Sequence, residues 1–229
     1  MALYAIGDLH LSLGSDKPMD VFGGRWSGYV DKLREGFAGL TEEDTTVLCG
    51  DLSWGMSLAE AREDFLFIDR LPGRKIVLKG NHDYWWSTAS AAYKFFAANG
   101  ISTIEILNNN CLLYGETALC GTRGWFYEEE RGSEHDRKIM LRELGRLEAS
   151  LKAAGEREKI AFLHYPPKFA AYECPEILEM LGRYGVKECY YGHIHGKGCS
   201  AAFRGVKNGV KYELVSADQL MFRPLRVRD

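Results

Sequence analysis

Five short polar turns, each placed directly after an apolar run, carry almost all of the side chains in this sequence that could do chemistry: "GDLH" (7–10), "GDLSWG" (50–55), "GNHD" (80–83), "HYPP" (164–167) and "GHIH" (192–195). Together they supply Asp8, His10, Asp51, Asn81, His82, Asp83, His164, His193 and His195, and five of the chain's six histidines fall among them. Carboxylate, imidazole and carboxamide donors without thiolate suit divalent manganese, iron or zinc, and there are more donors than one ion needs, so two ions are implied. A single Gly-Asp turn or one histidine would carry little weight. The ordered set on strand ends carries the inference.

Such residues act together only if the fold brings them together. Strand-length apolar runs recur at "LYAI" (3–6), "TVLC" (46–49), "KIVLK" (75–79), "TALC" (117–120), "KIAFL" (159–163) and "ECYY" (188–191). Helical faces lie between most of them. Tyr29, Leu33 and Phe37 with Val30 and Leu40 make one, and Ser57 with Glu60 forms a capping box ahead of Ala61, Phe65 and Ile68. Met140, Leu144, Leu147 and Leu151 mark another, opened by Ser133; Pro175 stands at the start and Gly185 at the stop of a third. Alternating strand and helix predicts an α/β protein with a largely parallel sheet. In open α/β sheets the loops at the strands' carboxyl ends share one crevice, where the five turns would meet. The glycines that open four of them are expected to let the backbone turn sharply, so that the next side chain projects inward.

Towards the C-terminus the pattern changes. Asn208-Gly209 sits between two β-rich runs and "NNCLLYGETALCG" (109–121) reads as a second hairpin, so some sheet is antiparallel or mixed. With no linker and no internal repeat in 229 residues, one mixed α/β domain spanning 1–229 is expected.

Composition excludes several classes. The 46% hydrophobic and 27% charged residues are those of a globular chain, and no window approaches the ~18 apolar residues of a membrane span. The first ten residues lack the basic and apolar regions of an export signal, so a cytoplasmic location is expected. Six cysteines without a CxxC pair predict reduced, buried thiols with neither disulfide nor zinc. The net charge of −3, with both signs interleaved, gives no basic stripe for nucleic acid.

In order, D-x-H, G-D, G-N-H-D, a lone H and G-H-x-H resemble the signature of the calcineurin-like metallophosphoesterase superfamily, from Asp8 to His195, with no departure at a ligand position. The resemblance implies a four-layer sandwich, two mixed β-sheets flanked by α-helices. It implies two divalent ions, one held by Asp8, His10 and His195 and the other by Asn81, His164 and His193, with Asp51 bridging. It further implies that His82 faces the leaving group, oriented by Asp83, and that the reaction is hydrolysis of a phosphate mono- or diester by a metal-bridging hydroxide. Two divalent ions bring +4 against −3 from Asp8, Asp51 and a hydroxide, leaving about +1 to attract phosphate, and coordination lowers the pKa of water from ~15.7 towards ~7. The competing readings are a metal-dependent nuclease, disfavoured by the lack of a basic groove, and a metal-holding interaction module, for which His82 would have no use.

The remaining candidates concern substrate. Trp26, Trp54, Trp85, Trp86 and Trp125 all follow strand candidates on the side where the ligands converge. As a group they predict an aromatic rim and a small phosphorylated substrate with a planar or apolar group, contacted by Trp86 and Trp125. Asn81 and Arg123 are expected to contact its phosphate, with Arg25 and Lys168 as further candidates. His135 reads as a solvated surface residue, and the charged run "YEEERGSEHDR" (127–137) as a surface loop, with a lid as its candidate function.

Overall fold

The computed structural model describes residues 1–126 and 133–229. One sheet is formed by β1 (Leu3–Ile6), β2 (Thr45–Leu48), β3 (Arg74–Val77) and β4 (Ile104–Ile106), all parallel in that order. Between them run α1 (Tyr29–Phe37), α2 (Arg62–Arg70) and α3 (Ala89–Ala98). The second half of the chain contributes β5 (Leu112–Tyr114), β6 (Thr117–Thr122), α4 (Glu134–Ala153) and β7 (Lys159–Leu163). A small hairpin follows, β8 (Lys168–Phe169) with β9 (Tyr172–Glu173), and then α5 (Pro175–Arg183), β10 (Glu188–Tyr191), β11 (Gly205–Lys207) and β12 (Val210–Leu214). The last strand, β13 (Leu225–Arg228), returns to pair antiparallel with β1, so the first sheet runs β13-β1-β2-β3-β4. The second runs β11-β12-β10-β7-β6-β5, with a parallel centre and an antiparallel hairpin at each edge.

Strand side chains alternate between faces, and here both faces are apolar. Leu3, Ala5, Val47, Cys49, Ile76 and Leu78 of the first sheet meet Leu119, Ile160, Phe162 and Tyr190 of the second in a layer between the sheets. The intervening residues Ile6, Leu48 and Val77 face outward onto Leu33, Phe37, Phe65 and Phe96 of the outer helices. Likewise Ala161, Leu163, Cys189 and Tyr191 pack on Leu147, Leu151, Ile177 and Leu181 of α4 and α5. Four layers with three apolar interfaces explain why the strands read as continuous apolar runs: a sheet covered on both sides has no polar face. This is the expected sandwich.

The expected helices form with shifted ends. α2 starts at Arg62, because Ser57 Oγ accepts from the Glu60 amide in a turn ahead of the helix. At α4 the Ser133 cap forms the full reciprocal box with Asp136, and His135 is exposed on the first turn. Asn208 and Gly209 both adopt positive φ (52° and 77°), as a tight hairpin turn requires. Of the proposed lid, residues 127–132 lie outside the described residues, while 133–137 open α4. The six cysteines are free, five of them buried. No helix among the described residues is long and apolar enough to cross a membrane.

Candidate metal centre

The two sheets join at their carboxyl-terminal ends, where the Gly7 amide donates to Val215 O (2.7 Å) and Gly7 O accepts from the Ala217 amide (2.9 Å). This seam aligns the strand ends, so the turns after β1, β2, β3, β7 and β10 open onto one crevice. The glycines there have a different purpose from the one the sequence predicts. Only Gly50 takes a positive φ (85°); Gly7, Gly80 and Gly192 do not. They are needed for space, since a Cβ on Gly80 would lie 2.1 Å from Asp51 Oδ1 and one on Gly192 would lie 2.4 Å from Asp8 Oδ2. The left-handed backbone falls on the candidate ligands themselves, with φ of 61° at Asp8, 47° at His10, 52° at Asp51 and 73° at His193. Each such residue costs about 1–3 kcal/mol and persists where surrounding structure holds it.

Two clusters of donors result. Atoms of Asp8, His10 and His195 lie within 4.8 Å of one another, as do those of Asp51, His164 and His193. Asn81 joins the second cluster, its Oδ1 being 2.6 Å from His164 Nε2. Asp51 Oδ2 lies 3.8 Å from His10 Nε2 and 3.5 Å from His164 Nε2, so one oxygen stands between the clusters, while Oδ1 accepts the His82 amide (2.7 Å). The remote ring nitrogens of His164 and His195 are engaged. His164 Nδ1 donates to Cys49 O (3.0 Å), and His195 Nδ1 is 2.9 Å from Asp218 Oδ1, which leaves both Nε2 atoms facing inward. A carboxylate or carbonyl behind an imidazole fixes its tautomer and orientation for metal ligation. His10 Nε2 and His195 Nε2 approach to 3.4 Å, an arrangement of two basic nitrogens that a shared cation satisfies.

The electrostatics fit a cation site in the same way. Burial would raise Asp8, but His195, His164 and His10 around it hold its carboxyl well below the usual range. Burial pushes Asp51 up to about 7, reinforced by Asp83 and Asp8 against the pull of His164. Burial and the neighbouring His164 push His193 down to about 3, and burial takes His10 well below its ordinary value, leaving both with a free lone pair. His195 is the exception: burial lowers it, but Asp8 and Asp218 raise it to about 10. At neutral pH its proton must leave before Nε2 can bind metal. Affinity for a divalent ion is therefore expected to climb about tenfold per pH unit above about pH 7, and more steeply below it, where Asp51 also carries a proton. Competition with a chromogenic chelator across this range measures it; a flat profile above neutrality shows that no proton leaves His195 on metal binding there.

Asp83 departs from expectation. It is buried and does not touch the His82 ring. Its Oδ2 accepts the amides of Gly80 (2.7 Å) and Asp51 (2.9 Å), and its Oδ1 those of Leu52 (2.8 Å) and Ser53 (3.3 Å) and the Trp85 indole N–H (2.9 Å). It ties the loops after β2 and β3 together, because a buried carboxylate needs donors and five backbone and indole N–H groups supply them. The partner of His82 Nδ1 is the Tyr84 hydroxyl (3.2 Å).

The tryptophans divide. Trp54 stacks on His10 (5.0 Å, 20°) and lies 4.6 Å from the His82 ring, and Trp26 packs edgewise on His10 and His195. Trp85 is buried against Phe65. Trp125 lines a cavity of 590 Å³ with Asn81, His82, His193 and Tyr165, whereas Trp86 lines a separate polar pocket together with Arg123. Arg25 is exposed, with Nη1 donating to Asp218 O (3.3 Å), and the Lys168 ammonium is paired with Glu173 (2.5 Å). Asp218 was not among the residues expected from the sequence. Its signal was a sixth polar turn, "SAD", directly after the apolar end of β12.

Solved structures with the same fold cover nearly the whole chain. A phosphopantetheinyl hydrolase from Mycobacterium tuberculosis aligns over 99% of this chain and 95% of its own at 14% identity with a TM-score of 0.62. A protein of unknown function from Aquifex aeolicus covers 98% and 95% at 16% identity and 0.55, and a Thermus thermophilus protein, TT1561, 85% and 82% at 12% and 0.52. No curated protein matches. The calcineurin-like phosphoesterase family matches residues 1–197, which contain every donor of both clusters, and the chain belongs to that family of metal-dependent phosphohydrolases.

Proposed function

We propose that the enzyme hydrolyses a small organic phosphate mono- or diester at a dinuclear centre, within a single cytoplasmic domain. The observation that supports the dinuclear reading is Asp51 Oδ2, which lies 3.8 Å from His10 Nε2 in one donor cluster and 3.5 Å from His164 Nε2 in the other, while the remote nitrogens of His164 and His195 are held by Cys49 O and Asp218. Asp8, His10 and His195 would hold one ion, and Asn81, His164 and His193 the other. Manganese, iron and zinc all fit this donor set. Bound ions would supply Lewis acidity towards a phosphoryl oxygen and hydroxide at neutral pH. His82, on the wall of the 590 Å³ cavity and with Nδ1 3.2 Å from the Tyr84 hydroxyl, would give a proton to the departing oxygen. Asn81 and His193 line the same cavity. The neighbour described as a phosphopantetheinyl hydrolase is compatible with an organic phosphate as substrate.

A panel of phosphomonoesters, cyclic nucleotides and other diesters, assayed on metal-loaded protein, tests this. Turnover of at least one class is expected, abolished by chelation and restored by Mn²⁺, Fe²⁺ or Zn²⁺; no turnover by any loaded form removes the proposal. Trp125 gives a finer expectation. Its ring forms the cavity wall with Phe126 and Tyr165, so a substrate with a planar group has a surface to stack on, worth about 1–3 kcal/mol. Trp125→Ala should reduce the preference for an aryl over an alkyl phosphate about tenfold in kcat/KM. An equal loss on both substrates would mean that the ring only packs. Trp86, outside this cavity, should not change that ratio.

A further inference from the structure

Beside the metal centre, between the carboxyl ends of β3, β4 and β6, lies a smaller pocket of 180 Å³ whose walls carry Lys79, Arg123 and Arg146. The single carboxylate among its lining residues is Glu143. That carboxylate is buried and committed, accepting from Thr122 Oγ1 (2.5 Å), Arg146 Nη1 (2.7 Å) and Arg123 Nη2 (3.4 Å). It cancels one of three positive charges and fixes both guanidinium groups, leaving an excess of two. Two donors remain unmatched among the described residues. Arg123 Nε is buried without an acceptor, and Lys79 has neither a hydrogen bond nor an ion pair. An unsatisfied buried N–H is costly, and two cations confined at one wall repel; an oxyanion relieves both penalties.

The pocket's cationic, polar walls suit a phosphate or carboxylate group. It is also built against the reaction cavity. The Arg123 guanidinium lies 4.9 Å over the Trp125 ring, whose surroundings form the larger cavity, and Lys79 stands two residues before Asn81.

We propose that this pocket is a second oxyanion site, binding a phosphate-class anion distinct from the ester phosphate at the metal centre. The anion has two sources, a second phosphate on the substrate or free inorganic phosphate. The first rests on the phosphoesterase reading; the binding itself does not.

Orthophosphate titrated into the metal-loaded protein, followed by calorimetry and phosphorus NMR, separates the two sites. Two phosphates per chain are expected. Lys79→Met and Arg146→Gln should each weaken one of them tenfold or more, the scale of a lost charge-assisted bond. The other should stay, and Lys79→Arg should restore what Lys79→Met removes, which rules out misfolding. The second arm compares kcat/KM for propane-1,3-diyl bisphosphate and propyl phosphate. A preference for the bisphosphate that Lys79→Met abolishes assigns the site to substrate, and equal rates with two-site binding assign it to free phosphate. A single bound phosphate that neither variant weakens overturns the proposal. Two bound phosphates without turnover of any ester would overturn the phosphoesterase reading and leave the pocket standing.

Discussion

Asp51→Asn is expected to take the protein from two bound ions to fewer than one, and to abolish turnover with them. The substitution preserves shape. An asparagine Oδ1 can still accept the His82 amide that Asp51 holds at 2.7 Å, so the loop after β3 should keep its place. What it removes is the charge on Oδ2, the atom between His10 Nε2 and His164 Nε2. Neutral carboxamide oxygen is a weak bridge, and without its negative charge each ion would face its neighbour across about 3.5–4 Å with less compensation. A loss of ~10³ or more in kcat/KM should follow, since the charge stabilisation lost is at least that of one oxyanion-hole donor. Elemental analysis after gel filtration is the direct check. Two ions retained at wild-type affinity would show that Asp51 does not bridge. Stripping should be partial in Asn81→Ala, which touches one cluster only.

Much of this architecture could be read from the sequence, for a physical reason. Both sheets are covered on both faces, so β1, β2, β3, β7 and β10 appear as unbroken apolar runs ending in polar turns, a contrast that solvent-facing strands would not give. The strands that escaped notice lack that contrast. β4 is three residues long, and β13 alternates leucine and valine with Arg226 and Arg228 at the sheet's edge, where charge discourages further pairing.

The candidate ligands were legible as types and order, but their supports were not. Asp83 follows His82 in sequence, yet consecutive residues in an irregular turn have no fixed relation, and its carboxylate points away into five N–H donors. The glycines at 80 and 192 illustrate the same limit: their necessity comes from Asp51 and Asp8, carried by other strands, and no local pattern encodes a contact of that range. Side-chain direction was equally hidden for the tryptophans. Trp85 and Trp86 are neighbours, but one is buried against Phe65 and the other lines a polar pocket.

His82→Ala should produce a second large effect with a different signature. His82 contributes its backbone amide to Asp51, which alanine keeps, while its ring contacts Trp54 and Tyr84 and neither donor cluster includes it. Metal content should therefore persist while turnover of an alkyl phosphate falls by about 10²–10⁴, the range for a lost general acid. With a nitrophenyl ester, whose leaving group departs without a proton, the loss should be far smaller. The pH dependence has a definite sign. Burial and the adjacent His164 hold His82 below its usual value, so its protonated fraction falls as pH rises through a point below 6.5. For wild-type protein held saturated with metal, the alkyl-to-aryl ratio of kcat/KM should accordingly fall with rising pH in that region, and it should be flat in His82→Ala. Saturation matters, because the protons on His195 and Asp51 impose the opposite trend on metal binding. A variant that loses alkyl and aryl substrates by the same factor, with a pH profile unchanged from wild type, would mean that the ring binds phosphate and the leaving oxygen takes its proton from solvent.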